Sequence, residues 1–185
     1  NAAEGYAQAK VFTGVLGVQA DNLKFSALGE EAFVPNTRTR SAALFGLESW
    51  QSGGLTLTGG LRVERTRVTS DGDTPVVAEP KFGPAQRRGF SPVSASFGAA
   101  YAVAPNWRVN GQLGLTQRAP TYYELYANGI HVATGAFELG DPALGLERSA
   151  HIELGTQWQA DAEGSRQIKA QIYVTRFSRY IALDA

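Results

Sequence analysis

Trp107-Arg108-Val109-Asn110-Gly111-Gln112-Leu113-Gly114-Leu115-Thr116-Gln117-Arg118 changes character from one residue to the next. Trp107, Val109, Gly111, Leu113 and Leu115 fall on one side, and Arg108, Asn110, Gln112, Gly114, Thr116 and Arg118 on the other. Successive side chains of a strand point to opposite faces, so one face suits lipid and the other water. Residues 55–67 repeat the pattern, with Leu55, Leu57, Gly59, Leu61 and Val63 opposed to Thr56, Thr58, Gly60, Arg62, Glu64 and Thr66. A third copy sets Ala150, Ile152, Leu154, Thr156 and Trp158 against His151, Glu153, Gly155, Gln157 and Gln159. About 12 residues rising about 3.3 Å each and tilted by roughly 40° span near 30 Å, the thickness of a hydrocarbon core. Soluble strands are about half that long. The pattern predicts an all-β chain forming the wall of an antiparallel transmembrane β-barrel.

Seven strands are expected, at roughly 8–20, 38–51, 55–69, 92–104, 107–118, 148–160 and 166–178. Short and long connections alternate between them. The short ones, Ser52-Gly53-Gly54, Pro105-Asn106 and Asp161 to Ser165, are rich in turn formers. The long ones run over about 21–37, 70–91 and 119–147. Such barrels keep short turns on the periplasmic side and long loops outside. Trp50, Trp107 and Trp158 all lie within three residues of a short turn, as an aromatic girdle at the periplasmic interface requires. Three core tryptophans of a soluble sandwich would have no reason to choose one end. The first two strands carry small or apolar residues on both faces, which leaves their facing open.

Bacterial single-chain barrels normally have an even strand number, so seven consecutive strands leave two unpaired edges. The chain starts at Asn1 without a signal peptide, contains no methionine, and stops at Leu183-Asp184-Ala185 just after a strand. It therefore reads as part of a longer precursor. No internal repeat or interdomain linker divides residues 1–185, which read as one barrel-domain fragment.

A hydrophobic share of 43% with a mean hydropathy of −0.19 is distributed by alternation, with no run near the roughly 20 apolar residues of a membrane helix. Zero cysteines exclude disulfides and thiolate metal sites. Lys+Arg and Asp+Glu both number 17, so no net field recruits nucleic acid. Catalysis finds little support. Ser149 and His151, at i and i+2, have Cβ atoms about 7 Å apart, whereas a nucleophile needs its base within about 3.2 Å. No Gly-x-Ser-x-Gly elbow, phosphate-binding loop or His-Glu-x-x-His is present. Arg62, Glu64 and Arg118 fit the polar wall of a lumen, and His151 beside Glu153 fits the same wall. Arg87-Arg88 and Lys81 form a basic cluster in the second long loop, able to meet lipopolysaccharide phosphates or to stay solvated. The third long loop carries Tyr122, Tyr123, Leu125, Tyr126, Ile130, Val132, Phe137 and Leu139, enough apolar surface to fold on itself or on the barrel mouth.

Gln117-Arg118-Ala119-Pro120-Thr121, then Glu124-Leu125-Tyr126-Ala127-Asn128-Gly129, then Gly140-Asp141-Pro142 and Leu146-Glu147-Arg148-Ser149, together resemble a characteristic stretch of TonB-dependent outer-membrane receptors. Leu61-Arg62-Val63-Glu64 is similar to that family's Gly-Leu-Arg-Tyr-Glu strand. Gly29-Glu30-Glu31-Ala32-Phe33-Val34-Pro35 and His131-Val132-Ala133-Thr134-Gly135 look most like the zinc-uptake subgroup, whose members are hard to separate from haem receptors. Similarity touches most of residues 14–160. The chain departs from relatives at Ile130, where Pro is common. The resemblance implies a 22-stranded barrel closed by a plug, importing a scarce nutrient with energy passed on by TonB. Barrel strands alone, without plug or TonB-contacting segment, are expected here. It also implies a bacterial outer-membrane location, contact with outer-membrane lipid and lipopolysaccharide, and no enzyme activity.

On that resemblance, His131 supplies an imidazole for a transported metal, with Glu30 and Glu31 as candidate carboxylates; a solvated loop histidine and solvated loop acids are the alternatives. Tyr122, Tyr123, Tyr126 and Asn128 are candidates for the ligand loop, where the tyrosines either stack on a haem or aromatic chelate or pack the loop down. No prosthetic group is implied. The transported ligand is zinc or another transition metal, with haem or a ferric siderophore as rivals and a passive porin as a further alternative.

Overall fold

The computed structural model describes residues 11–27, 29, 31–73, 79–160 and 166–182. In chain order its elements are β1 (Val11–Phe25), β2 (Thr37–Ser52), β3 (Leu55–Ser70), β4 (Gln86–Phe90), β5 (Val93–Ala104), β6 (Trp107–Arg118), α1 (Tyr122–Tyr126), β7 (Asn128–Ile130), β8 (Phe137–Leu139), β9 (Glu147–Gln159) and β10 (Gln167–Arg179). Seven long strands form one sheet in the order β1-β2-β3-β5-β6-β9-β10, each antiparallel to its neighbours. The sheet is an open stretch of barrel wall, with β1 and β10 at its edges. No helix among the described residues is long and apolar enough to cross a membrane.

Register settles the facing of every strand of the main sheet. Leu57 lies opposite Trp50 and Ala99, Val63 opposite Leu44 and Val93, and Leu113 opposite Phe97 and Ile152. These rows make one apolar face, and its side chains are largely exposed: Leu113 52%, Leu115 61%, Leu154 55%. Exposed leucines at this density belong against lipid. The other face aligns Arg62 with Phe45 and Ser94, and Gln112 with Gly98 and Glu153. This is the lumenal face, and it is less uniform in β1 and β2, where it carries Val15, Phe45 and Leu47.

The turns behave as their residues dictate. Gly53 takes φ +61 in the β2–β3 turn, a conformation that glycine reaches without steric cost. Pro105 and Asn106 turn β5 into β6, next to a register shift between Ala102 and Ala104. The expected turn from Asp161 to Ser165 lies outside the described residues. Trp50, Trp107 and Trp158 all project on the apolar face at the short-turn end, and the Trp107 indole N–H donates to Thr156 Oγ1 at 2.8 Å.

Three boundaries differ from the sequence reading. The first strand, expected at 8–20, continues to Phe25, so its loop covers 26–36; residues 8–10 lie outside the described residues. Asp21 and Asn22, which fall inside the loop expected at 21–37, are held in the ladder: Arg38 Nε donates to Asn22 Oδ1 at 2.9 Å, and Ser41 Oγ to Asp21 Oδ2 at 3.4 Å. The loop expected at 70–91 contains β4, which adds to the outer end of β3. The third long loop contains α1 and the small β7–β8 hairpin.

The buried core sits where this third loop folds inward over the lumenal face. Val68 and Phe90 from the wall meet Leu125 and Tyr126 from α1. Thr37, Thr66 and Ser70 are buried on the same face.

Candidate functional site

Arg118, the last residue of β6, fixes the third loop to the wall. Its guanidinium donates to Glu124 at 2.8 and 3.1 Å and to Glu147 at 3.2 and 3.1 Å. Two carboxylates on one planar fork give paired, directional contacts that a lysine cannot reproduce. Glu124 also accepts the Thr121 backbone N–H at 2.7 Å, satisfying a donor at the start of α1 that the helix leaves unmade. Burial alone would raise the Glu124 carboxyl, but the Arg118 and Thr121 hydrogen bonds outweigh it and hold the group below the usual range. The loop then doubles back over α1, with the Gly140 N–H on Ala127 O at 2.8 Å and the Asp141 N–H on Glu124 O at 2.9 Å. A Cβ at Gly140 would sit 2.6 Å from the Tyr126 nitrogen, so only glycine fits there.

Beyond α1 the three long loops are stitched together. Asn128 donates its backbone N–H to Phe33 O at 2.7 Å and its side-chain amide to Lys81 O at 2.6 Å; Lys81 Nζ donates to Ala32 O at 2.7 Å. The second loop is shaped by Asp73, whose carboxylate accepts the N–H groups of Lys81, Phe82 and Gly83 at 2.7 to 3.0 Å. The Phe82 N–H is the main reason that carboxyl lies below its usual range, with the Lys81 and Gly83 N–H groups adding and burial opposing.

His131 stands at this convergence. Its Nδ1 lies 2.9 Å from Glu138 Oε1, and its ring stacks on Phe33 with centroids 4.7 Å apart. A tight reversal brings His131 and Glu138 together: the His131 N–H reaches Ala136 O at 2.8 Å, and Gly135 takes φ +69. A carboxylate on one imidazole nitrogen fixes the ring and leaves Nε2 on the opposite side for a ligand. Among the described residues no group of three or more His, Cys, Asp or Glu gathers into a metal site.

The other sequence candidates are dispersed. Glu31 is exposed in a turn two residues before Phe33, and Glu30 lies outside the described residues. Tyr126 is buried at 7% exposure, burial pushes its phenol up, and its hydroxyl has no hydrogen-bond partner among the described residues. Tyr122 stacks on Phe25 at 4.9 Å and meets Tyr123 edge-on at 5.4 Å. The basic trio separates: Arg87 points to the outer face, Arg88 donates to Leu144 O at 3.1 Å inside, and Lys81 joins the loops. Glu138 and Phe33 were missed because their meeting with His131 depends on a hairpin and on a second loop. The Gly135 turn between short apolar runs was the available signal for the hairpin.

Beneath the loops the lumenal face holds a hollow of about 540 Å³ lined by Arg62, Glu64, Thr116, Arg118 and Tyr122 among others. Arg62 and Glu64 form an ion pair at 2.6 Å, with Arg62 also on Gln19 at 3.1 Å and 6.0 Å from the Phe45 ring. His151 lies 2.8 Å from Thr175 Oγ1 and 3.5 Å from Glu153, so its ring is engaged away from Ser149. This is wall electrostatics, and among the described residues neither histidine is hydrogen-bonded to a serine.

Two solved structures share the fold. The copper transporter OprC matches with a TM-score of 0.65 and 20% identity over 89% of this chain and 27% of that one. The hemophore receptor HasR of Serratia marcescens, solved in complex with its hemophore HasA and heme, matches with a TM-score of 0.65 and 22% identity over 94% of this chain and 32% of that one. The chain thus spans a third or less of the length of either protein. A family described as TonB dependent receptor-like, beta-barrel, matches residues 5–185. Its members are outer-membrane receptors and transporters, and are not enzymes. By that match over nearly its whole length, the chain belongs to the TonB-dependent receptor β-barrel family.

Proposed function

We propose that residues 1–185 form part of the barrel domain of an outer-membrane receptor that imports a scarce transition metal, zinc first, with TonB-derived energy. The remaining strands, the plug and the TonB contact belong to other parts of the full protein, and the outward face meets outer-membrane lipid and lipopolysaccharide. One observation carries the metal reading: Glu138 orients the His131 imidazole where three loops converge over the lumen. Zinc takes about four ligands, and residues with imidazole and carboxylate donors suit it, as they suit copper and nickel. Glu31, close in sequence to the Phe33 that stacks on His131, is a candidate carboxylate, as is Glu30, and further ligands come from the rest of the receptor.

The two matched proteins are named for copper and for heme, so a porphyrin is the second reading. The tyrosines favour the metal ion: Tyr126 is buried in the loop core and Tyr122 is stacked on Phe25, leaving Tyr123 as the most exposed of the three. Calorimetry on the intact receptor with zinc, copper and haem decides between them. Zinc affinity is expected to fall by about 10- to 100-fold in Glu138→Ala, as for an orienting carboxylate. A His131→Ala receptor with unchanged zinc affinity and no haem uptake rejects the metal reading. A steady ion conductance from the intact protein would instead favour a porin.

A further inference from the structure

Six cations share the outward face at the long-loop end of β1–β4. Lys24 lies opposite Arg38, Arg38 opposite Thr69, and Thr69 opposite Arg87, making one row across the strands. The next row sets Arg40 directly opposite Arg67, and the row below it adds Arg65. Three strand gaps of about 4.8 Å make the patch roughly 14 Å wide, and three same-face rows make it about as tall. Like charges directly opposed across a ladder are destabilising. On the lumenal face Arg62 and Arg118 are paired with acids. None of the six outward cations forms an ion pair among the described residues. Arg38 has Asn22 and Arg65 has Ser91, both neutral. A hollow of about 490 Å³ opens between Lys24, Arg38, Arg40, Arg67 and Arg87, with Asp71 as its one lining carboxylate. Directly below on the same face come Val18, Leu44 and Val63, exposed at 82%, 48% and 41%.

A dense cationic patch just above a lipid-facing band sits at the level of lipid headgroups, on the side of the long loops. We infer that this patch binds the phosphate groups of a phosphorylated glycolipid of the outer leaflet, with Arg40, Arg67 and Arg87 as the principal donors. The inference rests on the reading of the outward face as membrane-facing. Arginine suits the task because its planar fork holds a phosphate by two hydrogen bonds. Lipid acyl chains then lie along Val18, Leu44 and Val63, which a free phosphate does not use.

Native mass spectrometry of the full-length receptor, titrated with bis-phosphorylated lipid A, with its dephosphorylated form and with inorganic phosphate, tests the site. The phosphorylated lipid is expected to bind at least about tenfold more tightly than the dephosphorylated one. The Arg40→Gln/Arg67→Gln/Arg87→Gln receptor is expected to lose that preference, and the corresponding triple Lys receptor to keep most of it. Equal binding of both lipids to the parent protein overturns the phosphate site while leaving the membrane-facing wall intact, and this comparison holds even if the Gln variant fails to fold. An unchanged preference in a folded Gln variant, or full displacement of the lipid by inorganic phosphate at equal concentration, also overturns it.

Discussion

Arg118 joins the end of a wall strand to both ends of the third long loop, because Glu124 lies in α1 and Glu147 opens β9. Replacing it with Gln leaves two part-buried carboxylates without their cation, at a local cost of about 1–3 kcal/mol after solvent screening. In the full-length receptor, amide exchange at Leu125, Ala127, Gly140 and Asp141 is expected to speed up about tenfold or more, while the strand amides of β6 stay protected. Unchanged exchange in the loop would mean that apolar packing alone holds it. Acid should act on the same anchor. The folded-state carboxyl of Glu124 is lowered below its ordinary value of 4.5, so its stabilisation is complete above about that value and is lost as pH falls through the lowered one. Loop protection, corrected for intrinsic exchange, is expected to be level from neutrality to about pH 4.5 and to drop below it; Glu124→Gln should shrink the drop, the remainder belonging to Glu147, whose carboxyl the Arg118 hydrogen bond also holds below its usual range. At this scale much was legible. Thr121-Tyr122-Tyr123-Glu124 has the spacing of a helix start, although it opens the loop expected at 119–147. The pairing of His131 with Glu138 was less accessible, because it depends on a turn whose strands are only three residues each.

The strands themselves make the clearest claim of the sequence, and it can be tested side by side on one element. Leu113 faces outward with Phe97 and Ile152, and Gln112 faces inward with Gly98 and Glu153. Leu113→Arg is expected to cost about 2–4 kcal/mol in a bilayer, and Gln112→Arg much less. Equal losses in reversible unfolding from lipid would reject the facing. Alternation located β3, β6 and β9 to within two residues, because each has one apolar and one polar side. It misplaced β1, whose lumenal side carries Val15 and Leu23 while its outward side ends in Asn22 and Lys24. When both faces are mixed, period two loses its contrast and pairing to β2 sets the boundary. β4 escaped notice for another reason: five residues with adjacent arginines look solvated until the edge of β3 offers them a ladder.

At the scale of the molecule, the sheet ends, among the described residues, in two long ladders of unpaired backbone groups along β1 and β10. Such edges template association. The 185-residue chain on its own is therefore expected to self-associate in detergent, and sedimentation showing a monodisperse, closed monomer would contradict the open wall. The number of strands in the complete barrel cannot be read from a partial wall, since nothing local counts a circumference. Strand order carries a different implication. Every long strand pairs with its neighbour in the chain, apart from the small insertions between β3 and β5 and between β6 and β9. Removing or duplicating one hairpin would therefore leave all other pairings and crossings untouched. A wall built this way can change its girth by whole hairpins in the course of descent, while the inward-folding loop, packed on Val68 and Phe90 and bonded to the first and second long loops, holds the hairpins beneath it together as one inherited block.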